Sequence, residues 1–241
     1  MKPLVIDVFC GDGGAGRGYI AAGFDVIGID LNPNHGKRYP GVFYAGDWQA
    51  ELDYLRHSGE RPALVHLSPP CQRYSQGTVA GHSHKHPDLI GPVRSYMLGW
   101  GVPFIVENVE RAPLVDPVTL CGTMFGLEVD DPASGRRLYL KRHRLFEAHG
   151  FELTAPGSCR CAEFDRAGLI CGGVYGGARS DLREAREVRG GGYVPKSKAT
   201  KAALLGVNPD DFTVKGMYEC IPPAYSAWVG RSFLASRERA A

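Results

Sequence analysis

The chain predicts an α/β fold, a doubly wound and mostly parallel sheet with a small second region inserted late in the sequence. Short apolar runs alternate with loops and helical stretches through the first half of the 241 residues. The first of them, Leu4-Val5-Ile6-Asp7-Val8-Phe9, empties directly into a glycine-rich loop, as a buried parallel strand does at a ligand-binding edge. After about Phe146 the composition changes, and residues 150–200 become rich in Gly, Arg and Cys.

Taken in order, the glycine loop leads to a short helix around Gly18 to Ala22, and Val26-Ile27-Gly28-Ile29-Asp30 reads as a second strand ending in an acid. Val42 to Ala45 is a third strand. Ala63 to Leu67 is a fourth, stopped by Pro69 and Pro70, and Pro103 to Glu107 is a fifth. Within the later region one helix is expected, with Ser180 as N-cap and Asp181 to Val188 as its body, followed by a turn at Gly190-Gly191-Gly192. The expected organisation is a catalytic part over 1–148, a small recognition-like region over 149–203, and a segment over 204–241 that returns to the first part.

A hydrophobic fraction of 44% supports a sizeable core and argues against disorder. No apolar run reaches the roughly 18 residues of a membrane span, and the N-terminus lacks the pattern of a secretory signal. A cytoplasmic protein with no membrane partner and no obligate protein partner is the expectation. Seven cysteines scattered over this length fit free thiols better than a disulfide framework. Cys159-Arg-Cys161 offers a metal half-site with Cys171 ten residues on, but that spacing matches no usual zinc pattern, and no metal ligand is assigned. Lys141 to Lys201 carries a net +5 against +2 for the whole chain, a modestly basic segment suited to a polyanion or simply to solvent.

Four constellations carry chemistry. Gly11, Gly13 and Gly16 form a G-x-G-x-x-G directly after a strand and before a helix, where glycines let the backbone approach a nucleotide; Asp30 is placed to accept from a ribose diol. Ser68-Pro69-Pro70-Cys71-Gln72-Arg73-Tyr74-Ser75 presents a thiol from a stiffened turn just past a strand. Glu107-Asn108-Val109 brings an acid out of the sheet at the same edge. Lys141-Arg142-His143-Arg144 reads as strand, with Arg142 and Arg144 on one face. Each has a plainer reading: a tight turn, a buried thiol, a solvated acid, a basic strand.

Together and in this order, DVFCGDGG, PCQRYS, ENV and LKRHR resemble the C5-cytosine DNA methyltransferases, in the compact form found in bacteriophages and bacteria. The resemblance covers roughly residues 4–146 and resumes near Met217 to Gly230. It implies a Rossmann-like S-adenosylmethionine methyltransferase sheet, S-adenosyl-L-methionine as cofactor, double-stranded DNA as partner and flipping of the target base. It also implies Cys71 as nucleophile, Glu107 as the acid at cytosine N3, and Arg144 with Arg142 behind it at the base carbonyl. Phe9, Gly11, Asp12, Gly13, Gly14, Asp30, Leu31, Asp47, Trp48, Pro69 and Ile221 are the implied cofactor contacts. Asp30 would take the ribose and Asp47 the adenine amine.

The sequence departs from the family at Leu140, where a Gln is usual, and at Glu219 to Tyr225, where a Gly-Asn pair is usual. The arginines are expected to favour the Cys71 thiolate. The loop Gln76 to Pro87, with His82, His84 and His86, is expected to close over DNA. RNA or a free pyrimidine nucleotide as substrate, a silent DNA-binding protein, and a nicotinamide enzyme using the same loop are the competing readings.

Overall fold

The computed structural model describes residues 2–75, 83–175, 186–188 and 192–240. Its main layer is a seven-stranded sheet in the order β3-β2-β1-β4-β5-β9-β6. These strands are β1 (Leu4–Val8), β2 (Asp25–Asp30), β3 (Val42–Ala45), β4 (Leu64–Leu67), β5 (Phe104–Asn108), β6 (Val118–Leu120) and β9 (Arg144–His149). The first five are parallel, while β9 runs antiparallel to both β5 and β6. The expected doubly wound α/β architecture is present, with the five strands read between Leu4 and Glu107 in place.

Two cores sandwich this sheet, as the two-residue strand period requires. Ile6 and Val8 point to the face covered by α2 (Trp48–His57) and α3 (Ile90–Trp100), through Leu52, Leu55, Val93 and Met97. Val5, Leu64, Ile105 and Phe146 point to the other face, covered by α1 (Gly14–Ala21) and α7 (Pro223–Ala240). On α7, Tyr225, Val229 and Phe233 recur every four residues and are buried there. Asp7 and His66 sit side by side in the register on this apolar face, which explains two fully buried polar groups. Burial raises the Asp7 carboxyl to about 7 and lowers the His66 imidazole to about 3. Tyr19 Oη meets His66 Nδ1 at 2.8 Å, and Tyr39 donates to Asp7 at 3.3 Å.

A second sheet has five strands in the order β11-β12-β10-β8-β7. β7 (Glu128–Asp131) and β8 (Arg136–Leu140) form a hairpin; β10 (Ile170–Gly172), β11 (Arg186–Val188) and β12 (Gly192–Val194) complete it. Its core packs Leu138, Leu140 and Tyr193 against α5 (Lys198–Leu205) and α6 (Val214–Glu219). Leu140, where the family has Gln, is thus a core side chain. The sheet takes two strands from before residue 148 and three from after it, so the boundary expected at 148/149 passes through it.

Two local expectations differ from the structure. The helix expected over Asp181 to Val188 lies outside the described residues up to 185, and Arg186–Val188 is a strand paired antiparallel with β12. Gly190 and Gly191 of the expected glycine turn are also outside the described residues, while Gly192 opens β12. Lys141-Arg142-His143 is not strand: β8 ends at Leu140 in the second sheet and β9 begins at Arg144 in the first. The chain changes sheets across these three residues. Among the described residues, no helix is long and apolar enough to cross a membrane.

Candidate active site

The parallel strands reverse order on either side of β1, and at that switch point their carboxyl ends open a crevice. A cleft of about 560 Å³ lies there. It is lined by Phe9, Gly11, Asp12 and Gly14 from the loop after β1, by Asp30 and Leu31 after β2, and by Asp47 and Trp48 at the start of α2. Pro69 and Cys71 after β4, Glu107 at the end of β5, Arg142, Arg144 and Ile221 complete the set. Of the residues predicted from sequence, only Gly13 does not line it. Gly13 caps α1 with φ 86°, a left-handed conformation, and a Cβ there would strike Pro40 and Tyr39. A Cβ on Gly14 would lie 2.5 Å from both Cys220 Sγ and the Ile221 carbonyl. The loop therefore packs directly on the C-terminal segment.

The glycine-loop side of the cleft is held from beneath. Phe9 has φ 63°, which costs a non-glycine residue about 1–2 kcal/mol, and its N–H and that of Cys10 both donate to the Ile29 carbonyl. One Asp30 oxygen accepts from Gly11 N–H at 3.1 Å and the other from Asn32 N–H at 2.9 Å. Asp47 caps α2 by accepting from Gln49 and Ala50 N–H through Oδ1. The Asp12 carboxylate is spoken for inside the protein. It meets His35 Nδ1 at 2.6 Å and accepts from Thr213 N–H and Oγ1 at 2.8 and 2.9 Å. Burial pushes this carboxyl up, but those bonds outweigh it and hold it low. Asp12 lines the cleft as expected, and its carboxylate also fastens the loop to the C-terminal segment.

On the other side, β5 and β9 pair with Glu107 opposite Phe146, so Arg144, two residues before, shares the Glu107 face. Arg144 Nε lies 3.2 Å from Glu107 Oε1. Burial raises the Glu107 carboxyl, and Arg144 and then Arg142 only partly offset this. Cys71 is half-buried. Burial and the Glu107 charge raise its thiol, and these outweigh the pull of Arg144 and Arg142. The expectation that the arginines would favour the thiolate is therefore corrected for Glu107 in its charged form.

Arg142 is not the strand partner of Arg144. Its two terminal nitrogens donate to the Val174 and Tyr218 carbonyls at 2.6 Å each, and its own carbonyl accepts from Tyr225 Oη at 2.7 Å. Its Nε–H is buried with no partner among the described residues. Burial, and then Arg144, lowers its guanidinium to about 10.

Sequence reasoning also passed over Asn108, whose Nδ2 donates to the Pro69 carbonyl at 2.9 Å and so fixes the turn that presents Cys71. Ser68 Oγ reaches the Val8 and Phe9 carbonyls from the same turn. In the loop expected to close, residues 76–82, His82 among them, lie outside the described residues; Ser83–Lys85 is a single 3-10 turn and Pro87 lines the cleft. Cys159 and Cys161 do meet partners, Cys121 and His143, rather than Cys171.

No protein-family model matches the chain, and no curated protein matches its sequence. Its fold is similar over the full length to that of solved methyltransferase structures, at low sequence identity. A candidate DNA modification methyltransferase encoded within a prophage (E. coli) matches with TM-score 0.56 and 12% identity over 98% of this chain and 99% of that one. The Entamoeba histolytica methyltransferase EhMeth matches with TM-score 0.54 and 11% identity, covering 98% of each chain. The S. pombe Dnmt2 methyltransferase matches with TM-score 0.56 and 11% identity, again over 98% of each.

Proposed function

We propose that this chain is an S-adenosylmethionine-dependent methyltransferase that modifies carbon 5 of cytosine in double-stranded DNA. The observation that carries this reading is the convergence of Cys71, Glu107 and Arg144 on the same cleft as the glycine loop, Asp30 and Asp47. The donor set fits the cofactor. Each Asp30 oxygen keeps a lone pair for a ribose hydroxyl, Asp47 Oδ2 is left for an adenine amine, and Phe9, Leu31, Trp48 and Ile221 supply apolar surface. When bound, S-adenosylmethionine supplies a methyl carbon attached to a positively charged sulfur.

The protein's task is to make cytosine C5 electron-rich. Cys71 thiolate forms a bond to C6, and the displaced ring electrons reach N3, where protonated Glu107 delivers its proton. A carboxyl raised by burial suits that duty. Once Glu107 is neutral its repulsion of the thiolate disappears, and the charges of Arg144 and Arg142 act on Cys71 against burial alone. Arg144 orients Glu107 and donates to the base carbonyl. After methylation, water removes the C5 proton, the bond from sulfur to C6 breaks, and Glu107 recovers its proton from N3. A cytosine reaches Cys71 only by leaving the base stack. The net +5 of Lys141 to Lys201 suits a phosphate backbone.

Transfer of labelled methyl groups to duplex DNA, RNA and dCMP in parallel tests the substrate, with duplex DNA expected to be labelled. Labelling of RNA or dCMP alone would overturn the DNA assignment. DNA carrying 5-fluorocytosine should accumulate a covalent adduct through Cys71, because the fluorine blocks the last step; no adduct would overturn the chemistry.

A further inference from the structure

Outside the cleft, three cysteines and a histidine come together from separate stretches of chain. Cys121 follows β6, His143 occupies the turn between β8 and β9, and Cys159 and Cys161 stand at the start of α4 (Cys161–Arg166). His143 Nε2 is 3.3 Å from Cys159 Sγ and 3.8 Å from Cys161 Sγ. Cys161 Sγ is 3.3 Å from Cys159 Sγ and 3.5 Å from Cys121 Sγ. All four ligand atoms lie within 4.8 Å of one another.

We infer that Cys121, His143, Cys159 and Cys161 form a structural zinc site, independent of the proposed methyl transfer. Tetrahedral zinc, with bonds of about 2.3 Å to sulfur and about 2.0 Å to nitrogen, sets its sulfurs about 3.8 Å apart and sulfur and nitrogen about 3.5 Å apart. The two sulfur–nitrogen spacings bracket their edge, and the two sulfur–sulfur spacings fall about 0.3–0.5 Å short of theirs, a gap that small side-chain adjustments on binding would close. Three thiolates and an imidazole are the donors zinc takes in closed structural sites, whereas magnesium and calcium take oxygen. Separations this short enclose one ion, not a multi-iron cluster. On binding, the three thiols release their protons to solvent and the imidazole binds neutral through Nε2.

The surroundings add an independent layer. His143 Nδ1 is 3.0 Å from Glu110 Oε1, the carboxylate–histidine pairing that orients a metal-binding imidazole. Thr123 Oγ1 lies 3.3 Å from Cys121 Sγ and accepts from Arg160 N–H at 3.0 Å. Both groups support the ligands without joining them. His143 stands between Arg142 and Arg144, so the ion anchors the turn that carries both arginines to the start of α4. The expectation that no residue binds metal is thereby revised. Cys171 packs against Cys121 and Cys161 but is not one of the four.

The test is elemental analysis of the full chain purified without chelator, where about one zinc ion per chain is expected. Cys171→Ser should retain it, while Cys159→Ser, at the exposed ligand, should hold it at least about tenfold more weakly against a competing chelator. A readout needing no variant is cobalt(II) exchange under reducing conditions, which should give intense thiolate-to-cobalt charge-transfer absorption with tetrahedral visible bands. Wild-type protein that binds neither zinc nor cobalt, or full retention of zinc by Cys159→Ser, overturns the site. So does a stoichiometric disulfide among the three cysteines in freshly purified protein. None of these readouts requires methyl transfer, so failure here leaves the methyltransferase reading standing, and the reverse holds.

Discussion

The cleft edge at Cys71 and the pocket of Cys121, Cys159 and Cys161 put one side-chain type in opposite surroundings, with the turn 141–143 contributing to both. Cys71 has charged neighbours, Glu107 and the two arginines, and burial with Glu107 keeps its proton on. Cys121 is fully enclosed, and burial pushes it up, yet hydrogen bonds from His143 and Thr123 bring it down, while its neighbour Cys161 is pushed up. A thiol gated by one carboxyl suits a nucleophile that ionises only when a substrate arrives; sulfurs grouped around an imidazole suit a permanent ligand set. The lesson is that the kind and number of neighbours, not burial, separates the two uses.

The sharpest way to break this contrast is Cys71→Ser. Methyl transfer should fall at least about 10³-fold, with the 5-fluorocytosine adduct lost and zinc content unchanged. Equal loss of activity and zinc would mean the two regions are not separable. Glu107→Gln comes next, lowering kcat by about 10²–10⁴-fold. Because Glu107 raises the Cys71 thiol, the same change should move the pH midpoint of Cys71 alkylation downward, read by peptide mass spectrometry. Arg144→Ala should cost about 10²–10³-fold in kcat and move that midpoint upward. Opposite shifts are required, and shifts of the same sign would mean that Cys71 responds to something other than these charges.

The smallest effect on activity concerns neither thiol. Asp7, raised to about 7, favours the folded state at low pH, and that contribution is lost as pH rises from about 4 through about 7. His66, lowered to about 3, does the reverse: its contribution is present above pH 6.5 and is lost as pH falls toward 3. The two trends oppose each other between about pH 4 and 6.5, so thermal melts of Asp7→Asn should show stability rising more steeply with pH there than in the unaltered protein. An unchanged pH dependence would mean that Asp7 does not supply the opposing trend.

The five parallel strands of the main sheet were legible because the central ones are covered on both sides, leaving runs such as Leu4 to Val8 and Leu64 to Leu67 that are apolar with single exceptions. The cleft was legible because Cys71, Glu107 and Asp30 each stand where such a run stops. Arg142 was not, since two arginines at spacing two look like strand, and nothing local marks the passage from one sheet to the other at Leu140. The short strands Ile170–Gly172 and Gly192–Val194 carry too few residues, with glycine among them, for a period to emerge. Cys121 and His143 lie too far in sequence from Cys159 for spacing to unite them. Asp12 matched a cofactor motif, while its partner Thr213 is 201 residues away.

That last bond bears on how the molecule is assembled. A chain ending at residue 212 would possess all seven strands of the main sheet, which is complete at His149, and the cleft side chains that the sheet carries, Cys71, Glu107 and Arg144 among them. It would nonetheless lack Thr213 beneath the Asp12 carboxylate and Ser226, whose hydroxyl donates to the Ala15 carbonyl. A buried anion stripped of such donors is strongly disfavoured. Capacity to hold a nucleoside would thus arrive with the final helices, not with the sheet, making ligand affinity a report on whether the whole polypeptide has closed upon its own beginning.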